Sequence, residues 1–383
     1  MENAASHLRR WPARTLIALF FLFLGVPLLD LFFHIDPTSP PSENRLLAAF
    51  PPPPDGLGGA KKFLAGWENY FSDHFGCRRC LILWHNKLKW SLFKEKGVRN
   101  VLVGTDGWLF FSAAQMIEHY RGALQFSEPE LNAWQQLLEH RRDWLAQRGI
   151  PYLFVLAPDK QSIYREHLPA WLQPLGGRTK VDQLLAHMKA HSTVAMLDLR
   201  PVLLEAKKSA PVYQKTDTHW NELGAFVAGE EVIRTLAEKQ LPGLAPLSLG
   251  SFNRTNRLAA GGDLARGLGV SLTESNAVFF TPKPELPALE IFIPTGEHER
   301  DLAYAKNPQG HGRAMIFHDS FGRYWVPFLG YPFGEADFFW HHQYELDAAL
   351  IERERPVVVI SEMLERFFNV TDPNELSALD ALP

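Results

Sequence analysis

The sequence predicts an α/β fold: a parallel central sheet covered by helices on both faces, with a β-rich insertion late in the chain. Three observations predict it. Short runs that are apolar throughout, apart from Arg313 at the start of one, stand at 152–156, 194–197, 313–317 and 356–360, as expected of strands buried on both faces. Stretches of helical period lie between them at 131–148, 180–191, 219–239, 321–329 and 346–355, and strands alternating with helices argue for a parallel sheet. Residues 241–312 break the pattern. They are rich in Pro and Gly, and their apolar pieces, such as Val278-Phe279-Phe280 and Ile291-Phe292-Ile293, are short and lack helical period. This region reads as strands and loops inserted over the sheet.

The chain has 383 residues, 46% hydrophobic and 21% charged, enough for one large core. Lys and Arg number 39 against 43 Asp and Glu. With that balance there is no basic field for a nucleic-acid backbone, and nucleic acid is set aside as a partner.

At the N-terminus, Arg9, Arg10 and Arg14 precede an apolar run that begins at Thr15 and extends to Ile35, with Asp30 its one acidic residue. At 1.5 Å per residue this run spans the roughly 30 Å hydrocarbon layer of a bilayer. Arginines on its N-terminal side predict a cytoplasmic tail (1–14), an uncleaved single-pass anchor in the inner membrane (15–35) and an exported remainder. No small-residue cleavage site follows the run, since Leu29-Asp30-Leu31-Phe32-Phe33 is bulky. Residues 36–60, with Pro51-Pro52-Pro53-Pro54 and nearby glycines, read as a semi-rigid tether. The globular part is then 61–383.

Residues 61–90 read as one helix, with Phe63, Trp67, Tyr70, Phe71, Leu81, Leu83, Trp84 and Leu88 near 3.6 spacing. Such a stripe is expected in a core. Cys77 and Cys80, the two cysteines, cannot complete a four-ligand zinc site. A local disulfide and two unlinked thiols both fit. Residues 100–111 place two short apolar runs around Asp106-Gly107, a hairpin signal.

Two stretches carry chemistry. In Lys215-Thr216-Asp217-Thr218-His219-Trp220 an Asp and a His stand two apart, and in extended chain residues i and i+2 share a face. In His318-Asp319-Ser320-Phe321-Gly322 a serine follows a strand and precedes a helix, at the carboxyl end of a sheet where ligands gather. Backbone N–H groups at that helix start are candidates for stabilising an oxyanion. A serine hydroxyl needs a base to take its proton, and the imidazole needs a carboxylate to fix its tautomer. Asp217, His219 and Ser320 supply these functions. Each alone has a plainer reading, since Ser and Asp at helix starts are ordinary caps.

Thr216-Asp217-Thr218-His219-Trp220 and Asp319-Ser320-Phe321 resemble motifs of the alginate O-acetyltransferase family AlgJ/AlgX, whose catalytic domain is similar to the SGNH hydrolases. Glu43-Asn44-Arg45, the run from Tyr70 through His74 to Gly76, the run from Gly104 through Trp108 to Phe110, and Ala157-Pro158-Asp159-Lys160 also resemble that family. The resemblance implies a three-layer α/β/α SGNH-like fold. It implies that Ser320 takes an acetyl group and passes it to a hydroxyl of an exopolysaccharide, with His219 as base then acid and Asp217 as its orienter. It further implies a membrane-bound O-acyltransferase partner that delivers the acetyl group, a catalytic domain in the periplasm and no bound cofactor or metal. An N-terminal anchor without a C-terminal carbohydrate-binding module resembles the AlgJ layout.

His318 stands where the wider SGNH group has glycine, and no Gly-x-Asn-Asp block is present. The second oxyanion donor is therefore open among Arg323, Tyr324 and a backbone amide. Lys160, Tyr164, Tyr213, Trp220, Arg323 and Tyr324 are candidates for polymer contact, because aromatic faces pack on sugars and cations pair with uronates. An acetyl esterase using the same triad, and a non-catalytic scaffold of a secretion complex, are the alternatives.

Overall fold

Seven strands build the central sheet: β1 Tyr152–Ala157, β2 Met196–Asp198, β3 Glu290–Phe292, β4 Ala303–Lys306, β5 Arg313–His318, β6 Glu335–Trp340 and β7 Val358–Leu364, in the order β3-β4-β6-β5-β7-β1-β2. The structure is a computed structural model and describes residues 15–22, 25–27, 29–30, 33, 48–54, 56, 59–88, 97–98, 100–294, 302–340 and 346–376. The chain divides into two units, residues 1–95 with 268–270, and residues 96–267 with 271–383.

In the larger unit, β6, β5, β7, β1 and β2 run parallel. Burial of β1 and β7 at every position explains the unbroken apolar run of β1 and the apolar start of β7, which Ser361 and Glu362 follow. Alternate side chains feed two cores. Leu153 and Val155 of β1, Ile316 of β5 and Ile360 of β7 join one cluster with helix Glu222–Lys239. Phe154, Met315 and Val359 join the other with helices Glu128–Ala146 and Lys180–His191. The result is three layers. Ser127 with Glu130 and Thr179 with Asp182 close capping boxes at the starts of the latter two helices.

The structure revises several expectations. The region 241–312 does not simply lie over the sheet. Its strand β4 pairs antiparallel with β6, and β3 pairs antiparallel with β4, so the two extend the sheet edge, while Phe252–Asn256 pairs with Val278–Pro282 and helix Asp263–Leu268 follows Gly262. Strand β6 carried no apolar-run signal because Glu335 and Asp337 interrupt it, and Arg313 of β5 pairs with both, at 2.6 and 3.3 Å. The expected helix 321–329 is a 3₁₀ turn, Gly322–Trp325, followed by one α turn, Val326–Leu329. Strands Val101–Val103 and Leu109–Phe111 do pair as a hairpin, with Asp106 and Gly107 both at positive φ.

In the smaller unit, the helix expected over 61–90 is two helices, Ala60–His74 and Arg78–Leu88. The chain breaks at Gly76, where a Cβ would meet the Pro27 carbonyl oxygen at 2.0 Å, and at Cys77, which has a φ of 55°. Cys77 and Cys80 form no disulfide. The aromatic stripe is not core, since helix Ala60–His74 buries none of its residues. The tail 1–14, most of the tether, the Glu43-Asn44-Arg45 piece and part of the 15–35 run lie outside the described residues. Among the described residues no helix is long and apolar enough to cross a membrane.

Candidate active site

Asp217 and His219 sit on a bend, not on extended chain. Residues 215–219 turn between Tyr213 and Trp220, which form a bridge. The Asp217 carboxylate makes the turn itself: Oδ1 accepts the backbone N–H of His219 at 3.0 Å and lies 2.7 Å from the ring Nδ1. Oδ2 accepts the N–H of Asp263 at 2.9 Å, and Asp263 Oδ1 accepts the N–H of Thr218 at 2.7 Å. Gly262 allows this closure, because a Cβ there would lie 2.3 Å from Asp217 Cβ. Asp217, His219 and Asp263 could converge on a cation, but these hydrogen bonds already occupy both Asp217 oxygens.

Ser320 comes from the carboxyl end of β5, and its Oγ lies 2.8 Å from His219 Nε2. With Nδ1–H donating to Asp217, Nε2 is the unprotonated ring nitrogen facing the serine hydroxyl and can accept its proton. Burial acts to raise the Asp217 carboxyl from its ordinary 3.8, but hydrogen bonding and the charge of His219, with two backbone N–H groups, outweigh it and hold the group well below the carboxylate range. Its folded value lies below its unfolded one. The stability it contributes is therefore full above about pH 4 and is lost as the pH falls toward the depressed value. Asp217→Asn is expected to lose that acid-side dependence, and unfolding midpoints of the two proteins measured on acidification should converge.

The helix start after Ser320 offers fewer donors than its position suggests. The Phe321 N–H donates to Asp319 Oδ1 at 3.0 Å. The Ser320 N–H takes no hydrogen-bond partner among the described residues and remains a backbone donor beside the Ser320 hydroxyl. Two buried carboxyl groups thus tie the turn. Asp319 also accepts from Leu364 N–H at 2.8 Å, and Glu362 accepts from Asp319 N–H at 3.0 Å. Burial, then the Asp319 charge, pushes the Glu362 carboxyl well up. Glu362→Gln should preserve stability and turnover. Glu362→Leu, which strands the Asp319 N–H, should cost about 2 kcal/mol and lower turnover, as thermal unfolding and ester hydrolysis would read.

Of the six residues expected at the polymer, four lie beneath the site. Trp220 is fully buried between Phe321 and Trp325, with ring centroids 5.0 and 5.7 Å away. Tyr213 is buried with its hydroxyl donating to the Pro158 carbonyl at 2.6 Å, and the buried Tyr164 hydroxyl accepts the Val212 N–H at 2.9 Å. Lys160 is 1% exposed. Its Nζ donates to the carbonyls of Gln214, Lys215 and Asp217 at 2.9, 3.2 and 2.5 Å, and burial pulls it down to about 8 against the opposing carboxylates. These side chains pack and hold the Asp217 loop and offer no face to a polymer. Arg323, which donates to the Pro294 carbonyl at 2.8 Å, and Tyr324, whose ring lies 5.3 Å from that of His219, remain at the half-exposed rim. His318 is buried, and its ring occupies the space that a Cβ on Gly322 would need, 2.4 Å from His318 Cβ.

Sequence reasoning missed Glu274, a fully buried carboxylate that accepts from the N–H groups of Lys215, Thr216 and Asn276 and from the Thr216 hydroxyl at 2.6 to 3.1 Å. It sits in a short polar stretch that carries no signal. Glu362 had one, as a lone acid inside the apolar run that ends β7.

Residues 101–285, which include Asp217 and His219, match the family model described as "SGNH hydrolase-like domain, acetyltransferase AlgX". The protein named "Probable alginate O-acetylase AlgJ" of Pseudomonas syringae pv. tomato is 28% identical over 185 residues, 46% of this chain and 44% of that one. The match thus spans less than half the length of that relative. The crystal structure of a DHHW family protein from Eubacterium siraeum superposes with a TM-score of 0.51 at 15% identity, over 73% of this chain and 95% of that one, and shares the fold. The O-acetyltransferase domain of Pseudomonas putida AlgJ superposes with a TM-score of 0.46 at 17% identity, over 71% of this chain and 93% of that domain. With its Asp-Thr-His-Trp bend inside the matched residues, this part of the chain is similar to the SGNH hydrolase-like acetyltransferase domain of that model and to the AlgJ relatives.

Proposed function

We propose that this protein transfers acetyl groups through an ester on Ser320 to hydroxyls of an exported polysaccharide. The observation that carries the reading is the unbroken chain of short contacts from Asp217 through His219 to Ser320, ending at a half-exposed hydroxyl. Ser320 Oγ attacks the acetyl carbonyl carbon while its proton passes to His219 Nε2, and Asp217 stabilises the imidazolium. The negative charge on the carbonyl oxygen meets the Ser320 N–H. As the tetrahedral intermediate collapses, the donor's oxygen takes the proton from Nε2 and leaves. A sugar hydroxyl then gives its proton to Nε2, attacks the ester carbon and displaces Ser320 Oγ, which recovers the proton. No bound cofactor or metal enters these steps.

Tyr324 is the second oxyanion donor in this proposal. Burial, then the nearby Asp217 and Asp263 charges, raises its phenol and keeps it protonated against the imidazole, whereas Arg323 is engaged by the Pro294 carbonyl. Tyr324→Phe should lower kcat on the order of 100-fold with little change in KM, measured with a chromogenic acetyl ester.

The names of the relatives support a polysaccharide acceptor of the alginate kind. The arginines ahead of the apolar run support an inner-membrane anchor with the catalytic unit in the periplasm. In that setting a membrane-bound O-acyltransferase would deliver the acetyl group. Incubation with labelled acetyl donor and polymer tests the central claim. Label on the polymer supports transfer, while released acetate without labelled sugar, in the presence of excess acceptor, would replace it with the esterase reading.

A further inference from the structure

Helices Ala60–His74 and Arg78–Leu88 each carry an exposed apolar stripe at the same spacing, i, i+3, i+7. The first has Leu64, Trp67 and Phe71, and the second Leu81, Trp84 and Leu88. Leu64 and Trp84 are both 65% exposed. That spacing places each set on one side of its helix. On the first helix Pro51 approaches Gly66 and Phe50 packs on Tyr70, which leaves the stripe between them uncovered.

Three observations name the occupant. The first described stretch of the preceding apolar run, residues 15–22, is a helix whose Leu16, Ile17, Leu19, Phe20, Phe21 and Leu22 are all exposed, so that stretch is apolar all round. The end of that run meets the junction of the two striped helices: Asp30 Oδ2 accepts the Cys77 N–H at 2.6 Å, and Gly76 packs on the Pro27 carbonyl. The junction of the striped helices therefore lies against the later part of the apolar run. Finally, residues 60–96 hold eight Lys and Arg against three Asp and Glu in a chain of net charge -4, with Lys61 and Lys62 exposed. Apolar stripes centred on Trp, in a locally basic stretch, suit the headgroup region of an anionic bilayer.

We infer that these two helices lie on the membrane surface, their stripes set into the interface of an anionic bilayer, so that a helical platform follows the anchor. The inference uses the anchor proposal only for continuity and is separate from the catalytic reading. It is tested in the full chain reconstituted into phosphatidylethanolamine–phosphatidylglycerol vesicles, with Cys77→Ser and Cys80→Ser and a nitroxide on Leu64→Cys, Phe71→Cys, Leu81→Cys or Leu88→Cys. Lys62→Cys and Asn69→Cys report the opposite side of the first helix, and circular dichroism checks each fold. Collision with dissolved oxygen should exceed collision with a water-soluble nickel chelate several-fold at the stripe positions, and the ratio should reverse at 62 and 69. Stripe labels reached by nickel would place them in water, and labels shielded from both reagents would place them against protein, a second copy included. Either result overturns the inference while leaving the anchor intact. A chain that fails to float with the vesicles overturns both.

Discussion

Replacing Ser320 with alanine is expected to lower acyl transfer on the order of 10⁴-fold or more and to abolish the covalent acetyl adduct seen by mass spectrometry. The fold should not register the change. The hydroxyl's one partner among the described residues is His219 Nε2, while Asp319, Glu362 and the N–H groups they hold keep the nucleophile turn in place without it. Unfolding should therefore shift by no more than about 1 kcal/mol. His219 without the serine has no oxygen to activate but water, so any residual turnover should lack a burst. Full polymer acetylation by Ser320→Ala would remove the enzyme reading and favour a scaffold that keeps the fold for binding.

Lys160→Met carries the second largest expected effect, because one buried ammonium serves three carbonyls of the loop that bears Asp217. Methionine fills much the same volume and donates nothing, so those carbonyls lose their partner in a site that water does not reach. Stability should fall by about 3 kcal/mol or more. The loosened loop moves Asp217, and with it the imbalance reaches His219. A displacement near 1 Å in a catalytic group costs roughly 100-fold in rate. Turnover of a small acetyl ester should therefore drop as much as turnover of polymer. A direct polymer contact would instead raise KM for polymer and spare the small ester, so comparing the two substrates decides between the roles.

Much of this protein was legible in its sequence, and the failures share a cause. Strands β1, β5 and β7 announce themselves as apolar runs because both faces of a central parallel strand are buried. Helix Lys180–His191 has the bounds its periodicity and capping residues suggest. By contrast β6 escaped notice because its acids answer Arg313 on the neighbouring strand, a relation that exists only across the sheet. Lys160, Tyr164, Tyr213 and Trp220 were read as polymer contacts from residue type, whereas their burial depends on which segments close over them.

The amino-acid sequence by itself determined the layered α/β architecture and the identity of Asp217, His219 and Ser320, because periodicity and short motifs are local properties of the chain. Tertiary structure alone decided that these three meet within hydrogen-bonding reach and that Lys160 and Glu274 serve the loop beneath them. It also decided that Glu362 ties the serine's turn and that the aromatic stripes near the N-terminus face outward. Each of those outcomes depends on which distant backbone groups need a partner once the chain is packed, and no local pattern encodes that.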